Sequence, residues 1–426
     1  MSQVNIVRVH HPSGKLFDVY RSFSGAHEKA VFFQSEAFIR LIEKWPEADW
    51  VLLLAVREEG LTDPGARPAS YRPGDIFKDR SQNMTSDAVS QPVSTSVDPS
   101  KIAASLLAVI IREEAPASPL LRPFAGLFRN LTSRTLVYGG PLLSDDTRLQ
   151  QELITRTLLK SLHQQVRRRS LFTQFRNTYD LTELIPSFRE MGYEYRERLN
   201  LLVNTTSLEE ARRNLSSSRR RQLRQSITNG ATIINHPDKE QLNAFYSILK
   251  DLYQKKVKKP LPGKSFFFAL SELSGNDKSA AMQKASEGQA GQSFPNSKIL
   301  LVAHGGRIIG GIACVLTPGR CLHEWYVCGL DREYKNRQVF PSVMATWAAI
   351  EYATRNNIPT FDFMGLGKPD EPYGVRDFKE RFGGRWVNHG RFSRVNRAAW
   401  YFLVEIGYNL YYALKGKNRN KGMGVK

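Results

Sequence analysis

The sequence predicts an α/β fold in two similar halves, each a mixed sheet flanked by helices. Strand-like apolar runs alternate with helix-like amphipathic runs, and this alternation occurs twice along the chain. The length of 426 residues suits two large domains. The composition, 41% hydrophobic and 24% charged, is ordinary for globular proteins and excludes collagen-like or wholly disordered chains.

The first half is predicted to begin with a helix and to alternate strands and helices from there. Its elements in order are a helix at 31–45, strands at 50–56, 105–111 and 135–143, an amphipathic helix at 148–169 and a strand at 171–177. We therefore expect a first subdomain over residues 1–185.

The second half repeats the alternation, and we expect its subdomain over residues 186–414, followed by a basic tail at 415–426. A capping pattern, Ser207-x-x-Glu210, starts one helix that ends at Gly230. The elements after it are helices at 241–256 and 266–273, three strands within 298–330, a helix at 339–357 and a strand at 359–365.

Two segments interrupt the globular pattern, at residues 57–100 and 274–297. Both are rich in small and polar residues, and the first is also rich in proline. Such composition buries too little apolar surface to offset the entropy of ordering, so we expect mobile insertions.

The positive charge is concentrated in a few places. Lys and Arg total 61 against 41 Asp and Glu, a net charge of +20, which indicates a polyanionic partner. Residues 211–226 carry six arginines and no acid, and residues 250–264 carry six lysines and one acid. Three arginines at 167–169 and five cations without an acid at 413–426 complete the set.

Cysteine and histidine usage argues against a metal site and for a reducing compartment. Cys314, Cys321 and Cys328 are seven residues apart, with no CxxC or HExxH pattern, so they are expected as small buried side chains in adjacent strands. The N-terminus has no apolar secretory region, and no apolar run is long enough to span a membrane. We therefore predict a cytoplasmic protein without a metal.

The clearest candidate for chemistry is the segment 360–386, in which Gly and Pro surround the sequence RDFKERFGG. YGVRDFKERFGG and the preceding FDFMGLG resemble the Fem family of peptidoglycan bridge-forming aminoacyltransferases. The order helix–helix–hairpin–strand–helix–strand is also that of an N-acyltransferase domain of the GNAT superfamily. FFQSEAF at 32–38, VYGGPLL at 137–143 and SSSRRRQLRQSITNG at 216–230 extend the resemblance over most of the chain.

The resemblance implies two GNAT-like subdomains and a reaction. An amino acid passes from aminoacyl-tRNA, the co-substrate, to an amine of the stem peptide on a nucleotide- or lipid-linked peptidoglycan precursor, with no cofactor. It assigns Lys379 to stabilisation of the tetrahedral oxyanion and Phe378 to positioning of the tRNA end. It assigns Arg220 to the precursor pyrophosphate, with Arg219 and Arg224 as helpers.

Each assignment has a structural alternative. Lys379 can instead form a surface ion pair with Asp377 or Glu380, Phe378 can pack in the core, and the arginines can form a solvated helix face. Lys255, Lys256 and Lys258 either contact tRNA or precursor phosphates or form a solvated helix end. The aromatic stretch and basic tail at 398–426 form either a domain-capping helix or a peripheral contact with the inner face of the cell membrane.

Two rival functions remain open. One is a GNAT-type N-acyltransferase that uses acyl-CoA on another amine, although residues 331–341, where such enzymes bind the CoA pyrophosphate on a Gly-rich loop, contain no glycine. The other is an RNA-binding protein without activity, which explains the charge and leaves the RDFKERFGG segment unexplained.

Overall fold

The computed structural model describes residues 4–57, 98–112, 133–257, 260–274, 295–371, 374–403 and 406. Most of the two predicted insertions and all of the basic tail lie outside these residues, as does Lys258. Within the described residues, no helix combines the length and the hydropathy that crossing a lipid bilayer requires.

The first sheet is mixed and contains eight strands in the described residues. The strands are β1 (Val4–Val9), β2 (Ala48–Arg57), β3 (Ile102–Ile111), β4 (Arg134–Tyr138), β5 (Leu142–Leu143), β6 (Phe172–Arg176), β7 (Glu194–Arg196) and β15 (Arg391–Val395). Their order is β1-β2-β3-β4-β6-β15-β7, with β5 beside β3. The pair β4–β6 is parallel, and the other pairs are antiparallel.

The helices of the first half include the two that the sequence predicts. They are α1 (Lys15–Ala26), α2 (Glu36–Glu43), α3 (Arg148–Val166) and α4 (Ile185–Glu190). The predicted helix at 31–45 starts later, because a 3₁₀ turn occupies Phe32–Gln34 and the Ser35 side chain caps α2. The Gln34 side chain donates to the carbonyls of Tyr138 and Gly140, which joins the FFQS and YGG sequences.

The second sheet is also mixed, with seven strands in the order β14-β8-β13-β12-β11-β10-β9. These are β8 (Leu199–Asn204), β9 (Ala231–Ile234), β10 (Ser297–His304), β11 (Arg307–Thr317), β12 (Cys321–Gly329), β13 (Thr360–Asp362) and β14 (Arg385–Asn388). The pair β12–β13 is parallel. Two mixed sheets flanked by helices confirm the predicted fold class.

The helices of the second half are α5 (Leu208–Asn214), α6 (Ser217–Thr228), α7 (Lys239–Leu252), α8 (Lys264–Glu272), α9 (Asp331–Tyr334), α10 (Pro341–Arg355) and α11 (Gly374–Glu380). The sequence predicted one helix from Ser207 to Gly230, and this was wrong. The Ser216 side chain caps a new helix by accepting from the Arg219 amide, and its own amide donates to the Arg381 carbonyl. The chain therefore breaks between α5 and α6.

The two halves share one apolar core. Phe32, Phe33 and Phe38 of the first half pack with Phe266 and Trp325 of the second. The first sheet also takes in β7 and β15, which lie beyond the predicted boundary at residue 185. The subdomain boundaries themselves stay a prediction.

Candidate active site

A buried polar cluster lies where two strands of the second sheet separate. β12 and β13 are paired in parallel only from Cys321 to His323, opposite Thr360 to Asp362. β13 ends there, while β12 continues to Gly329. Side chains of His323, Glu324, Asp362 and Lys379 are all buried around this point.

Lys379, on α11, supplies the only cation of this cluster among the described residues. Its ammonium donates to the carbonyls of Phe363 (2.5 Å) and Gly365 (3.2 Å) and pairs with Glu324 Oε1 at 3.0 Å. The three acceptors match the three N–H bonds of an ammonium. The partner is thus a buried acid on β12, and the alternative of a surface pair with Asp377 or Glu380 is not the one that forms.

Glu324 is held at this point by an irregularity in the sheet. The register of β11 against β12 shifts so that Ala313 faces Tyr326 and Cys314 faces Glu324, which leaves Trp325 as the extra residue of a bulge. Glu324 Oε2 is buried and has no hydrogen-bond partner among the described residues. Burial raises the pKa of Glu324, and the nearby Lys379 opposes part of that rise. A buried carboxylate oxygen of this kind can accept a hydrogen bond or a proton from a bound amine.

Asp362 organises the loop that holds Lys379. Its carboxylate accepts from the Met364 amide and the Asn200 side chain, both at 2.6 Å, and lies 3.3 Å from His323 Nδ1. Burial acts to raise the pKa of Asp362, but these hydrogen bonds and the nearby imidazole hold it below its ordinary value. Met364 has a φ of 57°, uncommon for a residue with a side chain, so the loop conformation depends on these bonds.

Three donor atoms in this region are close enough to share an ion. One atom each of Cys321, His323 and Asp362 lies within 4.8 Å of the others. Hydrogen bonding accounts for the arrangement, because His323 Nδ1 lies between Cys321 Sγ (3.7 Å) and the Asp362 carboxylate. The expected absence of a metal stays a prediction. Cys314 and Cys328 are buried in β11 and β12, as expected.

Arg219 joins the arginine helix to the segment that carries Lys379. It is buried, donates to the Phe378 carbonyl at 3.1 Å, and lies 4.4 Å from the Phe378 ring and 5.3 Å from the Phe382 ring. Burial lowers the pKa of Arg219 to about 10. This geometry makes Arg219 a positioning residue for α11, different from the phosphate-binding role that the resemblance gives it.

The other two arginines, Arg220 and Arg224, are exposed on α6. Arg220 donates to the carbonyls of Arg213 (3.0 Å) and Leu215 (2.5 Å) and so caps the end of α5. Arg224, one turn further, is exposed as well. Guanidinium groups so placed can take phosphate oxygens in bidentate geometry. Their role in substrate binding stays a prediction.

The lysine cluster lies at the end of α7. Lys255 and Lys256 belong to a π-helical turn over Tyr253–Val257, and Lys255 pairs with Asp251 at 2.6 Å. The Tyr253 ring contacts the Tyr326 ring at 6.1 Å, two residues along β12 from Glu324. The described lysines therefore follow a residue, Tyr253, that packs on β12.

Residues of the first half of the chain pack against this site. The Phe33 ring lies 5.3 Å from Trp325 and 5.9 Å from His323. The Phe32 amide donates to Thr317 Oγ1, and Arg320 donates to the carbonyls of three residues at 27–30. The FFQS sequence thus contacts the β11–β12 hairpin and the aromatic side chain next to Glu324.

The N-terminus of α10 follows β12 along the chain, and an acidic side chain accepts hydrogen bonds there. Asp331 accepts from the amide and the hydroxyl of Ser342, and the Phe340 amide donates to Ser226 Oγ at 2.9 Å. A carboxylate at a helix N-terminus repels a second anion, although such ends usually attract phosphates.

Sequence reasoning missed Glu324, Asp362 and His323 as members of the site. A usable signal was present, because His323 and Glu324 interrupt a strand that is otherwise apolar or aromatic, CLHEWYVCGL. An uncompensated acid in a buried strand requires a partner. The identity of that partner, Lys379, depends on the tertiary structure.

Comparison with known proteins gives one family match. Residues 210–380 match the model of the acetyltransferase (GNAT) domain. This range contains α6, β12, β13 and Lys379. A search of curated proteins finds no match for the sequence.

Solved structures share the architecture at low identity. FemX has 11% identity and a TM-score of 0.52, with 93% of this chain and 99% of that chain covered. A tandem GNAT protein from the clavulanic acid biosynthesis pathway has 8% identity, a TM-score of 0.48 and coverage of 92% and 99%. L-PGS from Bacillus licheniformis has 13% identity, a TM-score of 0.42 and coverage of 67% and 81%. At this identity, the likeness to FemX shows a common fold.

Proposed function

We propose that this protein transfers an amino acid from aminoacyl-tRNA to an amine of a peptidoglycan precursor stem peptide. The basis is that the chain is an acyltransferase with a GNAT domain in a Fem-like fold. The observation that carries the proposal is the buried Lys379–Glu324 pair at the separation of β12 and β13. The pair places the Lys379 ammonium beside the Glu324 carboxylate within the GNAT domain. One oxygen of that carboxylate has no hydrogen-bond partner among the described residues.

The pair suits aminolysis of an ester. The acceptor amine forms a bond to the ester carbonyl carbon, and the carbonyl oxygen becomes an oxyanion in the tetrahedral intermediate. The carbon–oxygen bond to the tRNA ribose then breaks, and the amine proton leaves by way of Glu324 to the released hydroxyl. Lys379, whose three N–H bonds have acceptors, stabilises the oxyanion by its positive charge.

The basic face of α6 supports a phosphorylated acceptor. Arg220 and Arg224 are exposed one turn apart, and α6 is tied to α11 through Arg219. A pyrophosphate on this face would place the stem peptide of the same molecule near Lys379. Lys255 and Lys256 add sequence-independent attraction for a tRNA backbone.

The closed N-terminus of α10 favours a tRNA donor over acyl-CoA. Ser226 accepts from the Phe340 amide, and Asp331 accepts from the amide and the hydroxyl of Ser342 at this end. A CoA pyrophosphate held there would displace a carboxylate. The alternative reaction, transfer from acyl-CoA to another amine, is tested in the same experiment as transfer from tRNA.

The test is a transfer assay with purified protein and a nucleotide-linked precursor, supplied with labelled aminoacyl-tRNA or with acyl-CoA. We expect label on the stem peptide with charged tRNA only. Arg220→Gln and Arg224→Gln are each expected to raise the precursor KM about tenfold and to weaken its dependence on salt. Arg355→Gln, at an exposed position on α10, is the matched control and should leave KM unchanged.

Transfer with acyl-CoA alone would refute the proposed donor. Transfer from tRNA with an unaltered KM in both α6 variants would remove the pyrophosphate assignment and leave the reaction in place.

A further inference from the structure

The helix that follows β15 exposes a row of large apolar side chains. Trp400, Phe402, Leu403 and Ile406 are 40–63% exposed. The helix itself is fixed, because Tyr401 packs on Leu171 and Phe172, and the amides of Asn396 and Arg397 donate to the Leu171 carbonyl. Four such side chains in one helical segment form a larger apolar patch than single exposed residues do.

Several cations lie on the two segments that meet at the start of this helix. Arg167 and Arg168 are exposed at the end of α3, a few residues before Leu171. Asn396 Nδ2 donates to Ser170 Oγ at 2.9 Å, and this hydrogen bond joins the end of α3 to the start of the helix that follows β15. Arg397 lies over the Trp400 ring at 5.4 Å. Arg169 pairs with Asp49 and is not counted among these cations.

The chemistry of the patch fits one kind of partner. Exposed aromatic and aliphatic side chains flanked by arginines match the boundary between lipid headgroups and acyl chains. The chain after residue 412 adds five cations and no acid to the same end of the sequence. Each cation near an anionic membrane surface strengthens binding.

We propose that Trp400, Phe402, Leu403 and Ile406, together with Arg167, Arg168 and Arg397, form a docking surface for the anionic face of a lipid bilayer. The apolar side chains enter the interface, and the arginines contact lipid phosphates. The surface does not include Lys379, Glu324 or the α6 arginines, so the proposal does not depend on the proposed reaction.

The test is co-sedimentation of the full chain with phosphatidylcholine vesicles that contain or lack phosphatidylglycerol, at low and high salt. We expect binding to the anionic vesicles, weakened by salt. Trp400→Ser with Phe402→Ser, and separately Arg167→Gln with Arg168→Gln, should each lower the partition coefficient roughly tenfold or more.

Two double variants serve as matched controls on α3. Leu149→Ser with Leu153→Ser removes exposed apolar side chains elsewhere, and Arg148→Gln with Lys160→Gln removes equal charge from the same helix. Both should bind as the unaltered chain does, and thermal melting by circular dichroism should show all four variants folded.

Absence of binding to either vesicle would overturn the proposal. So would equal losses in the test and control variants, which would indicate nonspecific adsorption. Concentration-dependent self-association that the Trp400 and Phe402 changes abolish, without vesicle binding, would assign the patch to a second copy of the chain and also overturn it.

Discussion

At the scale of single residues, the Lys379–Glu324 pair combines two charges in the interior of the protein. Both side chains are nearly inaccessible to solvent, and each compensates the charge of the other. The sequence predicted Lys379 but not its partner, because the two belong to elements that only the folded sheet brings together. A buried pair of this kind is expensive to break from one side only.

We expect Lys379→Met to lower the free energy of unfolding by about 3–5 kcal/mol, because it leaves Glu324 charged and buried. Adding Glu324→Gln should recover most of that loss, while the transfer rate of the double variant stays at least about a hundredfold reduced. Urea unfolding followed by circular dichroism measures the first quantity, and the transfer assay measures the second.

Arg212→Met is the control for this pair. It opens the exposed pair with Glu351 and should cost less than about 1 kcal/mol. A double variant as unstable as Lys379→Met alone would show that charge compensation is not what holds Lys379 in place.

At the scale of elements, the turn between α11 and β14 explains the end of the RDFKERFGG sequence. Phe382 is fully buried, and both glycines after it have positive φ. A Cβ at Gly384 would lie 2.7 Å from the Leu202 carbonyl oxygen. The turn that follows α11 therefore lies directly against β8.

Gly384→Ala should destabilise the protein by about 2–5 kcal/mol, because its φ of 115° and the clash with β8 act together. Gly230→Ala is the matched control, with a φ of 83° and no atom within 4 Å of an added Cβ, and should cost only about 1–2 kcal/mol. Thermal and urea unfolding of both variants measure the difference. Equal losses would mean that the backbone angle alone matters.

The elements also show why sequence patterns predict some parts of the fold better than others. Long apolar strands such as β2 and β3 were predicted close to their bounds, because every residue of β3 is buried. β7 and β15 are short and carry charged residues, so no periodic signal marks them. The arginine run was predicted as one helix, because nothing in its composition reveals that Arg381 supplies a partner for the Ser216 amide.

At the scale of the whole molecule, the two halves are joined through their cores. Trp325 of β12 contacts Phe32, Phe33 and Phe38 of the first half and Phe266 of α8. The two sheets are therefore linked by apolar packing as well as by the chain.

Heating should consequently unfold both halves in one transition, with equal calorimetric and van't Hoff enthalpies. Trp325→Ala removes the shared ring and should lower stability by about 3–5 kcal/mol, or separate the transition into two. Differential scanning calorimetry measures both outcomes. Two well-resolved transitions in the unaltered protein would show that the shared core does not couple the halves.

The position of β15 has a consequence for synthesis on the ribosome. β6 and β7 receive their common neighbour only from residues 391–395, after every strand of the second sheet has been made. During translation, one edge of the first sheet therefore stays unpaired while the second half is synthesised. An unpaired edge can pair with a neighbouring nascent chain. Completion of the first-made half is therefore delayed until the described strands of the second sheet have been translated.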